Sequence, residues 1–397
     1  NVILREGDKL YYHNDGLVRW LGGFGQVEYN YNNITAFLNL TGSHKFYKRI
    51  DYFKKQDLVL EDTTLTQAVG VNETIWYDGN RYTLESDEAR FAETDWKIFP
   101  GYTVKLGANW NIDQHHNVFF NTGVLSQAPP FTNVFTYDNT IYSLTQNNRV
   151  EAIELGYGYR SSDFSLNFNI YNTVWQNKPQ SGSYTFDGGD VGNYTVLGMD
   201  ALHKGIELDF AWKLSEKIKY EFLSSFGDWR WTSEDAILYA YLEQQLITTE
   251  NININGVHVG DSPQIQVGSS ISYNYKINKN SKGYIKLKGI YFDKFFSDYK
   301  IVDYIDNQLL STDFMVQDSW QIPGYALFSL HMGHNLFFDA SSLHFKLNIL
   351  NLFNAKYIND ADNNDASNPP TRNFDAESAS AFFGIGRTMR ISLEYKF

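Results

Sequence analysis

The sequence predicts an all-β fold, an antiparallel barrel that crosses a membrane with its strands. Three features predict it. Apolar and polar residues alternate with a period of two over long stretches, short turns and long polar segments follow one another in strict order, and no apolar run approaches the roughly 20 residues that a spanning helix requires.

The first strand is expected over about 24–31, with a turn at Asn32-Asn33. Next come Tyr102, Val104, Leu106, Ala108, Trp110 and Ile112, alternating with Thr103, Lys105, Gly107, Asn109 and Asn111. The same rhythm places Phe164, Leu166, Phe168 and Ile170 on one side, and Ile206, Leu208, Phe210, Trp212 and Leu214 opposite Glu207, Asp209, Ala211 and Lys213. Residues 263–277 hold it longest, with Ile265, Val267, Ser269, Ile271, Tyr273, Tyr275 and Ile277 on the dry face. Leu343, Phe345, Leu347 and Ile349 repeat it, and so do Met389, Ile391, Leu393, Tyr395 and Phe397. A period of two is a strand with one dry and one wet face.

Short polar turns are read at 113–117, 161–163, 215–217, 278–282 and 339–342, each of ordinary hairpin length. Long polar segments fall at roughly 41–101, 126–150, 175–203, 229–262, 297–324 and 354–388. A membrane barrel places its short turns at one end and its long loops at the other. Strands of about 9 to 11 tilted residues match the hydrocarbon thickness, and closure leaves no backbone group unpaired in lipid. The apolar stripe is then the outside of the barrel, and the polar stripe lines a watery interior.

Six hairpins plus the terminal strand make thirteen strands in a single barrel domain over 1–397. Bacterial single-chain barrels have even counts with both ends periplasmic. Either residues 1–12 hold one more strand around Leu10-Tyr11-Tyr12, or the chain is the later portion of a larger barrel.

Composition narrows function. Lys+Arg 33 against Asp+Glu 46 gives a net charge of −13, which argues against nucleic acid. Cysteine is absent, so thiolate metal sites and cysteine nucleophiles are excluded. The 28 Tyr and 29 Phe suit rings that sit with one end dry and one end wet, as at the two rims of a bilayer.

At this point the residues resemble a known family. Asn351-Leu352-Phe353-Asn354-Ala355-Lys356-Tyr357 is similar to the signature near the end of TonB-dependent outer-membrane receptors, one long loop before a last strand ending in Phe397. Ala128, Pro129 and Phe131 in 126–131 resemble a second family segment, and 204–208 (KGIEL) resembles its recurrent strand start. The runs 99–131 and 35–53 look most like Bacteroidota members, with a SusC-related branch among them.

The resemblance covers essentially the whole chain but only the C-terminal part of a twenty-two-stranded barrel. It implies that a plug and about nine strands lie outside this sequence. It further implies active import of a scarce ligand, such as a siderophore, vitamin, oligosaccharide or peptide. The implied partners are TonB with its inner-membrane motor, outer-membrane lipid and lipopolysaccharide, and a surface lipoprotein lid. No cofactor is implied. Tyr395 and Phe397 would be the C-terminal assembly signal.

Among single residues, the loop aromatics Trp175, Trp229, Trp231, Tyr239, Tyr241 and Trp320 are the substrate candidates, because flat rings stack on sugar or chelate faces. The plainer reading is that they pack loops together. Asp360, Asp362 and Asp365 suggest a cation loop, but the EF-hand pattern fails, since Thr371 stands where its bidentate Glu belongs. Residues three apart, like His331 and His334, or adjacent, like His115 and His116, face opposite ways on a strand, so neither pair converges on a metal.

Gly156 and Gly158, like Gly384 and Gly386, are followed by no phosphate-loop helix and read as places of close approach. The glycosylation patterns at Asn33, Asn39, Asn72 and Asn193 are chance occurrences in a bacterial barrel. No GxSxG elbow or paired carboxylates are found, so no enzyme is expected. Wet-face charges of both signs, Lys105, Glu154, Glu207, Asp209, Lys213, Lys276, Lys286, Lys288, Lys346, Arg390, Glu394 and Lys396, favour plug docking or a nonselective lumen over an ion-selective pore. The alternative function is a passive fourteen-stranded channel.

Overall fold

The computed structural model describes residues 5–7, 9, 13–70, 73–90, 92–185, 190–298, 318–362, 375–377 and 379–397. Leu10, Tyr11, Tyr12, Asp365 and Thr371 lie outside them, and so does the expectation of a strand before residue 13. Among the described residues, thirteen wall strands pair antiparallel in chain order. They are β1 (Asn14–Tyr31), β2 (Ile34–Asp51), β3 (Lys97–Asn111), β4 (His116–Gln127), β5 (Asn148–Arg160), β6 (Phe164–Thr185) and β7 (Val191–Lys213). Then follow β8 (Ile218–Trp231), β9 (Ile265–Asn278), β10 (Ser281–Asp293), β11 (Tyr325–Phe337), β12 (Ser342–Leu350) and β13 (Thr388–Lys396). β1 and β13 stand at the two ends of this order.

The registers carry one apolar face across the sheet. Leu155, Ile170, Ile206, Phe226 and Ile265 lie opposite one another in turn on β5 to β9. Ile271, Leu287, Leu330, Ile349 and Met389 do the same on β9 to β13. Ile170, Ile206, Ile271, Leu287 and Met389 are exposed rather than packed on a second layer. The buried cores lie elsewhere, in the loop layer, where Val196, Met199, Leu238, Ile252 and Ile254 form one and Tyr47, Phe99, Val134 and Phe135 another. The stripe is therefore an outward face.

Aromatic rings mark its height. Tyr31, Trp110, Trp212 and Tyr395 sit on this face near the short turns and are exposed. On β3, Trp110 and Tyr102 are separated by eight residues, about 20 Å along the membrane normal at 3.4 Å rise and ~40° tilt, close to the apolar band between two girdles. The turns use local chemistry. At the β3–β4 turn, Asp113 Oδ1 accepts from the backbone N–H groups of His115 (2.7 Å) and His116 (2.9 Å), and these bonds hold its carboxyl below the usual range.

Glycines on the inward face are filled by rings from the next strand. A Cβ at Gly156 would stand 2.2 Å from Phe119, which lies directly opposite it, and one at Gly205 would meet the Tyr171 ring. Gly107 with Phe37 and Gly333 with Tyr284 repeat the pairing. A glycine leaves its place in the layer to a neighbour's ring, which pins register.

Several expectations are corrected. The first strand begins at Asn14, and β2 and β3 run well into the segment read as loop at 41–101. In the segment read as loop at 175–203, β6 continues to Thr185 and β7 begins at Val191; the two strands reach 22 and 23 residues and rise beyond any hydrocarbon layer. Within the segment read as loop, Asn177-Lys178-Pro179 forms a bulge with register shifts on either side and φ +55° at Asn177. β8 likewise runs to Trp231. In the segment 229–262, the strands Ala236–Leu242 and Gln245–Ile252 form a hairpin laid against β7 at 193–197.

Candidate functional site

Strand parity brings three of the six candidate aromatics together on the inward face. On β6, Tyr171 and Trp175 share that face; on β7 stands His203, opposite Thr173 between them, and on β8 Trp229, opposite His203, and Trp231. The His203 ring lies 6.3 Å from Trp175 and 5.8 Å from Trp229, and Trp229 Nε1 donates to the Tyr171 hydroxyl at 2.9 Å. The bulge turns Lys178 back over them, its Nζ 5.6 Å from the Trp175 ring centre and 5.7 Å from that of Trp231. Lys178 and His203 were missed in the sequence because 175–203 read as loop, and Tyr171 because only the dry face of its strand was followed. The signal was present, since Tyr171, Thr173 and Trp175 continue the wet-face parity of β6.

The top of β8 is held from above. Residues 256–259 pair with it: Trp231 N–H donates to Val257 O (2.8 Å) and Val259 N–H to Trp229 O (3.0 Å). Gln264, 1% exposed, closes the other side, its Oε1 accepting from Trp229 N–H (3.1 Å) and its Nε2 donating to Trp229 O (3.0 Å). Between them His258 stacks on Phe296 with ring centres 3.9 Å apart and places Nδ1 2.5 Å from Asp318 Oδ2, while its backbone N–H donates to Asp318 Oδ1 (2.8 Å). This clamp joins the loop after β8 to the loop after β10. Burial, with Asp298, Asp360 and Asp362 nearby, pushes the adjacent Asp261 up to about 6.

The other three candidates lie apart. Tyr239 and Tyr241 are buried, Tyr239 tilted against Tyr142 and Tyr241 edge-on to Tyr137. Burial and the neighbouring Tyr142 raise the Tyr241 hydroxyl above its ordinary range. Their faces are taken up by packing, although Tyr241 and Tyr142 contribute to a pocket of 630 Å³ that Phe131, Asn193 and the buried Arg49 also line. Arg49 is engaged within the protein, donating to Thr136 O and lying 3.8 Å from Asp51. Trp320 packs on a separate cluster with Phe295 and Ile322.

The motif residues have structural work. Asn351 and Asn354 adopt φ of +49° and +54°, a region asparagine tolerates better than branched residues. Asn351 Nδ2 donates to Ala355 O (2.8 Å) and to Ile385 O (3.3 Å), Asn354 Oδ1 accepts from Arg387 N–H (2.9 Å), and Leu352 N–H donates to Phe328 O (2.7 Å). The segment thus ties the top of β12 to the start of β13 and to β11. Phe353 packs edge-on against Phe328, and Tyr357 lies 4.6 Å from Tyr325. In the second motif, Ala128 is buried, Pro129 O accepts from the Tyr47 hydroxyl (3.0 Å), and Phe131 packs edge-on against Tyr47, folding the β4–β5 loop over the inward face. Tyr395 and Phe397 lie outward beside the turns, rings 6.1 Å apart. His331 bonds Asn348 and His334 bonds Tyr275, on opposite faces. Asp360 and Asp362 lie on the strand Ile358–Asp362, paired with Ser380–Phe383.

No family model and no curated protein matches the sequence. Solved structures do match in fold. The copper transporter OprC superposes with a TM-score of 0.55 at 12% identity, covering 96% of this chain and 49% of its own. The ferric yersiniabactin uptake receptor FyuA from Yersinia pestis gives 0.55 at 12%, with 96% and 46% covered. The siderophore receptor PiuA from Acinetobacter baumannii gives 0.54 at 14%, with 96% and 43% covered. The chain spans less than half the length of each, and at such identities the likeness is one of architecture: this chain has the fold of a transmembrane antiparallel β-barrel wall.

Proposed function

We propose that this chain is the C-terminal barrel wall and extracellular mouth of a TonB-dependent outer-membrane receptor that imports a scarce ligand. The observation that carries the reading is the thirteen-stranded sheet with its apolar face outward, its turns at one end and its folded loops at the other. The Asn351–Tyr357 motif and the fold shared with uptake receptors support it. In this reading the chain is no enzyme; the plug, the remaining strands and the contact with TonB lie outside residues 1–397, and Tyr395 and Phe397 guide insertion. Trp175, Trp229 and Trp231, with Lys178 between them, offer stacking faces to a ligand descending from the mouth. A Bacteroidota origin, a SusC-related branch and a lipoprotein lid are finer readings supported by the sequence resemblance alone.

The test is made on the full-length protein in outer-membrane vesicles and in cells with and without a working TonB. Ligand accumulation that requires TonB is the expected result. Steady ion conductance from the purified protein, independent of TonB, would instead favour the passive channel.

A further inference from the structure

The outward side of the wall changes character at one height. On β5 to β8 the apolar row of Leu155, Ile170, Ile206 and Phe226 is followed, one outward position higher, by Ile153, Asn172, Lys204 and Asp228. Glu151, Val174, Leu202 and Arg230 make the next row, with Arg149 opposite Gln176 above it. Lys204 lies nine residues above the end of β7 at Lys213, about 23 Å at 3.4 Å rise and ~40° tilt, just inside the upper edge of a ~25 Å apolar band. The charges begin where hydrocarbon gives way to headgroups. This face is turned away from the lumen, and β5–β8 stand at least four strands from either end of the sheet, so neither a plug nor strands added at those ends reach it.

Three cations meet two carboxylates here. Asp228 lies 3.3 Å from Lys204 Nζ and 2.7 Å from Arg230 Nε, and Arg149 Nη2 lies 2.5 Å from Glu151. Asp228 thus holds Lys204 and Arg230 side by side while neutralising one of them. Arg230 Nη1 donates to Gly256 O at 3.0 Å, and its Nη2 bonds to nothing among the described residues. The side chains of Arg149, Lys204 and Arg230 keep 45%, 52% and 43% of their surface open, enough for a further partner. The outward faces of strands β3, β4 and β9–β13 carry no lysine or arginine. On β1 and β2, Arg19 lies over the Trp96 ring and Lys48 is paired with Glu93. A surplus of positive charge directly above an acyl-facing stripe fits an amphiphile whose chains lie on the stripe and whose anionic groups lie on the cations.

We propose that the outward rim of β5–β8 binds a phosphorylated glycolipid of the outer leaflet, with its acyl chains on Ile170, Ile206 and Phe226 and its phosphates on the Lys204–Arg230 pair and on Arg149. Arg149 on β5 and Arg230 on β8 stand three strand spacings apart, about 14 Å at ~4.8 Å each. A sugar core with a phosphate at either end spans that width; a single phosphodiester does not. The amides of Asn172 and Gln176 between the cations supply hydrogen bonds to sugar hydroxyls. The inference rests on reading the chain as an outer-membrane wall, and it gives the lipid contact a place and a charge class.

The test titrates the full-length protein in detergent with lipid A carrying both phosphates, with the same lipid after phosphatase treatment, and with phosphatidylglycerol, and counts bound lipid by native mass spectrometry. A single tightly held lipid A per chain is expected, bound about tenfold or more tighter with its phosphates than without. The double variant K204Q/R230Q should abolish most of that preference, and K217Q/K279Q, which changes net charge equally at the turns, should preserve it. Heat-modifiable gel mobility reports folding, and R149Q/K204Q takes the place of the first variant if that one fails to fold. Equal affinity for the phosphorylated and dephosphorylated lipid, equal loss in the rim and turn variants, or phosphatidylglycerol held as tightly as lipid A overturns the site. Phosphate-selective binding with no TonB-dependent uptake would fault the import reading alone; TonB-dependent uptake without phosphate selectivity would fault the rim site alone.

Discussion

Replacing Ile271 by arginine tests which side of the wall meets hydrocarbon. Ile271 is 46% exposed on the outward face, and its cross-strand partners are Tyr220 and Leu287, so a guanidinium there stands among apolar rings and chains. It lies seven residues above the end of β9 at Asn278, about 18 Å above the turn at 3.4 Å rise and ~40° tilt, inside a ~25 Å apolar band. Arginine at that depth costs about 2 to 4 kcal/mol. Asn167 on β6 is the inward comparison: its Nδ2 donates to Asp209 at 3.0 Å, so Asn167→Arg sets a cation beside a carboxylate in water and should change stability by about 0.5 kcal/mol or less. Ser270, next to Ile271, is not an equivalent neutral site, because it is buried and its hydroxyl donates to Glu221 at 2.8 Å. The assay is urea titration of the full-length protein folded into lipid vesicles, read by tryptophan emission. A shift for Ile271→Arg no larger than that for Asn167→Arg would refute the assignment of faces.

Gly156→Ala should cost about 1 to 3 kcal/mol in the same titration, because its Cβ meets the Phe119 ring; adding Phe119→Ala should recover part of the loss, a coupling that a double-mutant cycle measures. His258→Ala removes the stack on Phe296 and the single bond from the ring to Asp318, so amide exchange in 256–264 should quicken by the equivalent of about 1 to 2 kcal/mol while exchange in β9 stays unchanged. Asp261 favours its protonated form in the folded protein. Its contribution is therefore intact below its ordinary value of 3.8 and is lost as pH rises through about 6. Protection from exchange around Gly260, taken relative to the intrinsic rate at each pH, should be greater at pH 4 than at pH 7, and Asp261→Asn should flatten that dependence.

The strands, their faces and the alternation of turns and loops were legible in the chain because a period of two is a local property. Adjacent residues on a strand must face opposite ways, so Ile271 and Lys286 reveal their sides without any partner. The sequence by itself also determined the count of thirteen and the place of each short turn. What tertiary structure decided was which distant residues meet. It showed that Asn177-Lys178-Pro179 bulges a continuing strand instead of ending it, a choice made by pairing with β7. It joined Trp175, His203 and Trp229 across three strands while burying Tyr239 and Tyr241 elsewhere. Register sets these neighbours through hydrogen bonds between residues tens of positions apart, and no local pattern encodes such contacts.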